Sequence, residues 1–126
     1  MRFLIDTVVF IWAVNSPERI SSKAMAVLKN DKAICEISVI SITEIAIKQS
    51  LGKLTFHRDD VILGIEGLKL PVLPYTINHA LQLFALPKHH KDPFDRQIIS
   101  QAMVEDIPIV TTDEKFRLYK GVRIIW

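Results

Sequence analysis

Several residue types that define special classes of protein are scarce or absent in this sequence. Its 126 residues include one cysteine, so no internal disulfide can form, and the apolar run around Cys35 predicts a buried thiol in a reducing compartment. No like-charge block occurs and 24% of the residues are charged, which excludes intrinsic disorder. The uncharged stretches 7–17 and 71–87 are too short or too interrupted by proline for a membrane helix, and Asp6 interrupts any signal-peptide core. We therefore expect one soluble, cytoplasmic domain spanning residues 1–126.

Short apolar runs and helical patterns alternate along the chain. The first run stops abruptly at Asp6, which is typical of a strand buried on both faces. Strands are predicted at Phe3–Ile5, Ile34–Ile40, Pro71–Pro74, Ile107–Val110 and Val122–Ile125. Helices are predicted at Thr7–Val14, Ser21–Leu28, Ser41–Leu51, Asp59–Leu68 and Thr76–Leu86, and two more begin at Asp92 and Asp113. This alternation favours an α/β fold with a central parallel sheet of four to five strands and helices on both faces.

Acidic residues stand at the ends of these predicted elements. Asp6 ends the first strand, and Asp113 closely follows the strand that contains Val110. In an open parallel sheet the carboxyl ends of the strands face one crevice, where ligands bind. Glu44 falls in the predicted first turn of the helix after the second strand and points to the same edge. Asp95 begins a helix that precedes a strand, so its position relative to the crevice does not follow from strand order.

Each of these carboxylates has a simpler explanation as a helix cap. Glu44 has capping-box spacing from Ser41, Asp92 precedes Pro93 as an N-cap would, and Asp113 can cap the helix that follows it. Taken together, however, carboxylates that face one crevice repel each other unless they are protonated or hold a cation. Oxygen ligands without a His or Cys set favour Mg²⁺ or Mn²⁺ over Zn²⁺. Such a site suits hydrolysis of a phosphodiester bond.

Four segments carry a resemblance to a known family. FLIDT, ISITEIAIKQSLGKL, HKDPFDRQIISQA and IVTTDEKF, in this order, resemble the PIN domain, and more narrowly the VapC-type ribonuclease toxins of bacterial type II toxin–antitoxin pairs. The resemblance covers Arg2 to Trp126. It implies Mg²⁺ or Mn²⁺ as cofactor, endonucleolytic cleavage of RNA, a cognate antitoxin and a homodimer. One departure is Val8, which stands where many relatives have a histidine, and this bears on substrate contacts more than on metal binding.

The resemblance also implies which residues act. Transferred position by position, the acidic quartet of catalytic and metal-binding residues falls on Asp6, Glu44, Asp95 and Asp113. In our hypothesis the three aspartates hold one or two cations, and Glu44 binds through water or polarises the attacking water. The phosphorus is then attacked in line, without the RNA 2′-hydroxyl as nucleophile.

Further residues are assigned supporting roles. Thr7 and Thr111 can orient a ligand carboxylate or a water, and Asp92 either assists the site or only caps its helix. RNA contacts are predicted for Lys48 and Arg96, with Lys53, Lys88, His89, His90 and Lys91 as further candidates, against the alternative of ordinary solvated charge. His89, His90 and Asp92 also form a conceivable transition-metal cluster, but no further ligand spacing supports it, and a loop histidine pair is favoured.

Two other functions fit parts of the sequence. A phosphotransferase of the haloacid-dehalogenase type would use Asp6 as nucleophile but needs a second aspartate where Val8 stands. A non-catalytic RNA-binding or protein-interaction module on the same fold remains the alternative, although all four acidic positions are filled. The net charge of +2 is too small to indicate nucleic-acid binding, yet without the quartet the chain has 16 basic residues against 10 acidic. A cation in the site would therefore leave a surface that attracts phosphate.

Overall fold

The computed structural model describes residues 1–126 as a parallel sheet between helices. The strands are β1 (Arg2–Ile5), β2 (Ile34–Ser38), β3 (Val72–Leu73), β4 (Ile109–Val110) and β5 (Ile124–Ile125). The helices are α1 (Thr7–Asn15), α2 (Ser22–Lys29), α3 (Val39–Ser50), α4 (Arg58–Gly67), α5 (Ile77–Gln82) and α6 (Pro93–Glu105). Single 3-10 turns occupy Pro17–Arg19, Leu83–Ala85 and Glu114–Leu118. None of the helices is long and apolar enough to cross a membrane.

The five strands are all parallel and lie in the order β3-β2-β1-β4-β5. The chain builds outward from β1 to β2 and β3, then returns to the other side of β1 for β4 and β5. The carboxyl ends of β1, β2 and β4 therefore flank the point where the strand order reverses, and ligands bind at that position in open parallel sheets. The predicted α/β class, the parallel sheet and the helices on both faces are confirmed.

The core is divided between the two faces of the sheet because successive strand residues point to opposite sides. Phe3 and Ile5 of β1 pack into one apolar cluster with Phe10 of α1, whereas Leu4 packs into the other cluster with Ile98 of α6. Both clusters are fully buried at their centres, which accounts for strands that are apolar at nearly every position. Cys35 lies in the first cluster as a buried free thiol, as predicted.

The start of α3 differs from the sequence-based prediction. The strand was expected to continue to Ile40, with Ser41 capping the next helix, but β2 ends at Ser38. The Ser38 hydroxyl caps α3 by accepting the backbone N–H of Ile40 at 2.9 Å. An apolar run does not by itself distinguish strand from buried helix, and both serines are good caps. The capping-box role predicted for Glu44 is therefore wrong, and Glu44 lies in the second turn of α3.

The helix predicted over Thr76–Leu86 is also shorter than expected. Thr76 caps α5 by accepting the His79 backbone N–H, and the α-helix ends at Gln82 before the 3-10 turn Leu83–Ala85. On the opposite side of the sheet, α4 crosses α1 closely at Gly64. A Cβ atom at this position would lie 2.7 Å from Val14 and 2.9 Å from Phe10, so only glycine fits without movement.

Candidate active site

Asp6 is the most deeply placed acidic residue at the carboxyl edge of the sheet. It follows β1 directly and caps α1, and its Oδ1 accepts the Val8 backbone N–H at 3.3 Å. Its Oδ2 accepts the Thr111 hydroxyl at 2.6 Å. Burial, with a smaller contribution from the charges of Glu44 and Asp113, raises the pKa of Asp6 to about 6 against the lowering effect of these hydrogen bonds. The Asp6 carboxylate is therefore held in a buried position in which its ionised form is unfavourable.

Glu44 reaches the same edge from the second turn of α3. Its side chain is buried, and its Oε2 forms an ion pair with Lys48 Nζ at 2.5 Å, one helical turn further on. Its Oε1 is buried and has no hydrogen-bond partner. Burial lowers the pKa of Lys48, but the bond to Glu44 and the charges of Asp92 and Asp95 outweigh that effect and raise it. One unsatisfied acceptor oxygen is thus left in the acidic region.

Asp95 lies in the first turn of α6, and its pKa is the most strongly raised among the aspartates. Burial, followed by the charges of Asp92, Asp6, Glu44 and Asp113, raises this pKa to about 8. A helix that precedes a parallel strand runs opposite to it, so the amino end of α6 lies at the carboxyl edge of the sheet. This geometry supplies the placement that strand order alone did not give. The charges of the other three predicted acidic residues therefore all raise the pKa of Asp95.

Thr111 links the carboxylate of Asp6 to the backbone of Asp113. Its hydroxyl donates to Asp6 Oδ2 and accepts the backbone N–H of Asp113 at 3.0 Å. Asp113 in turn caps the 3-10 turn Glu114–Leu118, because its Oδ1 accepts the Lys115 backbone N–H at 2.9 Å. Thr111 therefore contacts one carboxylate of the predicted quartet.

The sequence presents His90 as a possible phosphate contact or as half of a loop histidine pair, and the structure places it against Asp113. His90 is buried, and its Nε2 lies 3.2 Å from Asp113 Oδ2. Ligand atoms of His90, Asp95 and Asp113 lie within 4.8 Å of one another. The sequence indicates this position only by placing His90 two residues before Asp92, and that proximity does not show where a loop side chain points.

The other predicted residues make contacts of their own. The Thr7 hydroxyl donates to Ser41 Oγ at 2.7 Å rather than to a carboxylate. Asp92 caps α6, because its Oδ1 accepts the backbone N–H groups of Phe94 and Asp95. The Arg96 guanidinium donates to the carbonyls of Pro87 and Leu86 and so holds the preceding loop against α6. A role for Lys48 or Arg96 in RNA binding stays a prediction.

A cleft of about 480 Å³ opens over this region, and no apolar side chain lines it. Its lining residues are His89, His90, Lys91, Asp92, Asp95, Asp113 and Lys115. Lys115 was missed by the sequence reasoning, because a lysine after an aspartate gives no signal of its own. Hard oxygen donors, the unpartnered Glu44 Oε1 and two raised carboxyl pKa values all fit a divalent cation that would relieve the repulsion.

Comparison with solved structures gives the same fold. VapBC2 from Rickettsia felis, bound to promoter DNA, is similar with a TM-score of 0.72 at 18% identity, covering 98% of this chain and 97% of that one. DNA-bound VapBC from Salmonella typhimurium gives 0.66 at 21% identity, covering 98% and 96%. VapBC-5 from Mycobacterium tuberculosis gives 0.64 at 19% identity, with the same coverage. At these identities the likeness establishes the fold.

A family model adds the sequence evidence. No curated protein is a significant sequence match. The model of the PIN domain, however, matches residues 3–122, which contain all four carboxylates and Thr111. With the fold and the acidic cleft already described, that match over most of the length leads to one conclusion: the chain belongs to the PIN-domain family.

Proposed function

We propose that this protein is an Mg²⁺- or Mn²⁺-dependent endoribonuclease and the toxin of a type II toxin–antitoxin pair. PIN domains are generally nucleases. The observation that carries the proposal is the mutual electrostatic effect of Asp6, Glu44, Asp95 and Asp113, which have one lysine among them as an ion-pair partner. The reaction belongs in the cytoplasm, where RNA is available and Cys35 stays reduced.

The proposed roles follow from the contacts of each side chain. Asp6, Asp95 and Asp113 would hold the cation, with Glu44 at its periphery. The cation, when bound, supplies a positive charge that activates water and stabilises the attacked phosphate. Glu44 Oε1, the unpartnered oxygen, is positioned to accept a proton from the attacking water, while Lys48 holds the other oxygen of that carboxylate.

The rim of the cleft supports binding of a polyanion. Lys91 and Lys115 line the cleft on the side of Asp113 and bring positive charge to its entrance. Thr111 fixes the spacing of Asp6 and Asp113 by bonding to both, so that substrate binding needs no rearrangement of the acidic residues. We assign phosphate contacts to these lysines, and Arg96, which uses two of its five N–H donors on the Pro87 and Leu86 carbonyls, keeps three for the predicted RNA contact.

The test is cleavage of end-labelled RNA by purified protein with Mg²⁺ or Mn²⁺ and with EDTA. We expect metal-dependent internal cuts from the wild type, none from Asp95→Asn, and wild-type activity from the matched control Asp59→Asn, whose side chain is exposed on α4. An absence of metal-dependent cleavage would favour the non-catalytic binding module. Full activity in Asp95→Asn would remove that residue from the site.

We also propose an antitoxin partner for the groove between α3 and α4. This groove of about 390 Å³ is mostly apolar, with Ile42, Ile45, Phe56, Val61, Ile62 and Ile65 among its lining residues, and suits the apolar face of a helix. The similar structures from R. felis, S. typhimurium and M. tuberculosis are of VapBC proteins. Ile62→Glu should abolish binding of the protein encoded by the neighbouring reading frame. Leu63→Glu, on the exposed face of the same helix, should not.

A second copy of the chain is proposed to cover the exposed stripe on α5 and its following turn. Ile77, Leu81 and Phe84 are 74%, 55% and 91% exposed and share one face by their spacing. Phe84→Asp should convert a dimer into a monomer in light scattering, with RNA binding at the cleft retained. A wild-type monomer at micromolar concentration would contradict the homodimer.

A further inference from the structure

The His90 ring is held in a fixed orientation beside the acidic cleft. It packs edge-to-face against Phe116, with ring centroids 5.1 Å apart and planes at 89°, and it lies nearly parallel to Tyr119 at 5.5 Å. All three side chains are buried. The ring therefore cannot turn to exchange its two nitrogens without disturbing the core cluster that contains Phe116 and Tyr119.

The Tyr119 hydroxyl determines which nitrogen of His90 carries the proton. This oxygen accepts the backbone N–H of His90 at 3.0 Å, lies 2.9 Å from His90 Nδ1, and makes no other hydrogen bond. If Nδ1 were protonated, the Tyr119 O–H would point at no acceptor in a buried place, which is strongly unfavourable. The Tyr119 O–H therefore donates to Nδ1, and the ring proton resides on Nε2.

With its proton on Nε2, His90 is a donor and not a ligand. Nε2 lies 3.2 Å from Asp113 Oδ2, so its N–H donates to that oxygen, while the Lys115 backbone N–H donates to Oδ1 at 2.9 Å. The Asp113 side chain is 35% exposed and precedes a short 3-10 turn, whereas the Asp6 side chain is buried. Asp113 therefore depends more on these hydrogen bonds for its position. Each carboxylate oxygen keeps a further lone pair for a cation.

We propose that Tyr119 and His90 form a positioning relay that fixes the Asp113 carboxylate and keeps Nε2 out of the metal site. The inference rests on the proposed metal-dependent function, and it adds a source of metal selectivity. A site that offers only oxygen ligands favours Mg²⁺ and Mn²⁺, whereas a free imidazole nitrogen next to Asp95 and Asp113 would bring in Zn²⁺. His90 is thus a positioning residue that acts through Asp113.

The tautomer is measured directly on the wild-type protein without metal. Long-range ¹H–¹⁵N correlation spectra distinguish a protonated from an unprotonated ring nitrogen, and His90→Gln identifies the signals that belong to residue 90. We expect Nε2–H in the wild type. A protonated Nδ1 in this sample overturns the inference. Because RNA cleavage does not enter the measurement, its outcome is separate from that of the proposed nuclease activity.

Metal affinity tests the consequence for Asp113. With Mn²⁺ or Zn²⁺ as the titrant, His90→Ala should weaken Mn²⁺ binding about 10-fold to 100-fold, and His90→Gln, which retains an N–H donor, should recover most of it. Tyr119→Phe removes the hydroxyl that keeps the ring proton on Nε2, so Nε2 can lose this proton and bind Zn²⁺. The ratio of Zn²⁺ affinity to Mn²⁺ affinity should therefore rise about 10-fold. His57→Ala, outside the cleft, is the control. Wild-type Mn²⁺ affinity in His90→Ala, or an unchanged metal ratio in Tyr119→Phe, overturns the relay. Normal metal binding without RNA cleavage would instead contradict the proposed function alone.

Discussion

The two edges of the sheet hold buried acidic groups in opposite electrostatic states. At the amino edge, Arg2 of β1 donates to both oxygens of Glu36 at 2.7 and 3.0 Å and to Glu105 at 3.1 Å. His79 bonds to the other Glu105 oxygen at 2.9 Å, and this bond, with Arg2, holds the pKa of Glu105 below its usual value. Every acid of this cluster has a basic partner.

At the carboxyl edge, the repulsion among the four acidic side chains is not balanced by an equal number of basic partners. The pKa values of Asp6 and Asp95 are raised to about 6 and about 8, and Lys48 is the one lysine paired with the quartet. The amino edge shows that this chain can neutralise buried carboxylates where their role is structural. A cluster left in the opposite state therefore indicates a ligand of positive charge.

The largest expected difference between the edges is in catalysis. Asp6→Asn should lower the rate of RNA cleavage by about 10³-fold, because it removes a proposed cation ligand, without lowering the melting temperature. Glu36→Gln, at the buried carboxylate of the amino edge, should leave the rate nearly unchanged and lower the melting temperature. Cleavage assays and thermal melts on both variants check this, and equal loss of activity in the two would erase the distinction.

Metal binding should stabilise one edge only. At a Mn²⁺ concentration 100 times the Kd, the free energy of unfolding of the wild type should rise by about 2.7 kcal/mol. Asp95→Asn should lose most of this gain, whereas Arg2→Leu should keep it, since Arg2 lies at the opposite edge. Chemical denaturation with and without Mn²⁺ measures the difference. A full Mn²⁺ response in Asp95→Asn would mean that the metal binds elsewhere.

Removing the Arg2 guanidinium from the amino edge should destabilise the fold. Arg2→Leu leaves the buried Glu36 carboxylate unpaired, and we expect the free energy of unfolding to fall by about 1–2 kcal/mol, a value reduced because Arg2 is partly exposed. Arg58→Leu, which breaks an exposed ion pair with Asp59, is the control and should have no measurable effect. Similar losses in both variants would contradict a structural role for the amino-edge cluster.

The smallest expected effect is on the pH dependence of stability, which should have opposite signs for the acidic groups of the two edges. Raised pKa values mean that the folded protein holds more protons than the unfolded chain, so Asp6 and Asp95 lose stabilising effect as pH rises through about 6 and about 8. The lowered pKa of Glu105 makes its contribution fall only when pH drops below its usual value of 4.5. In EDTA, stability should therefore decline between about pH 4 and about pH 8, the range between the unfolded and the raised folded pKa values. The double variant Asp6→Asn/Asp95→Asn should show a smaller decline, and an unchanged slope would contradict the raised pKa values.

Much of this architecture was predictable from local pattern. The apolar run that stops at Asp6 identified β1, and the alternation of runs and helical segments identified the parallel sheet. Asp92 before Pro93 identified the cap of α6. These predictions held because each depends on residues that are neighbours in sequence, where propensity and burial act together.

Other features depended on contacts between distant residues. Two serines three positions apart could each cap α3, and the choice of Ser38 follows from where pairing of β2 with β3 ends. His90 faces Asp113 across 23 residues because the loop before α6 packs on Tyr119. Arg2 meets Glu105 across 103 residues. No local pattern encodes such partners.

The sequence by itself determined the order of strands and helices, since strand ends and helix starts depend on local apolar and capping patterns. Its resemblance to the PIN domain implied the four carboxylates, whose catalytic role stays a prediction. The tertiary structure decided how those groups interact. It brought Asp95 to the cleft through the antiparallel run of α6, left Glu44 Oε1 unpartnered and set the His90 proton through Tyr119. The physical reason is that charge and hydrogen bonding depend on distances of a few ångströms, which only packing fixes.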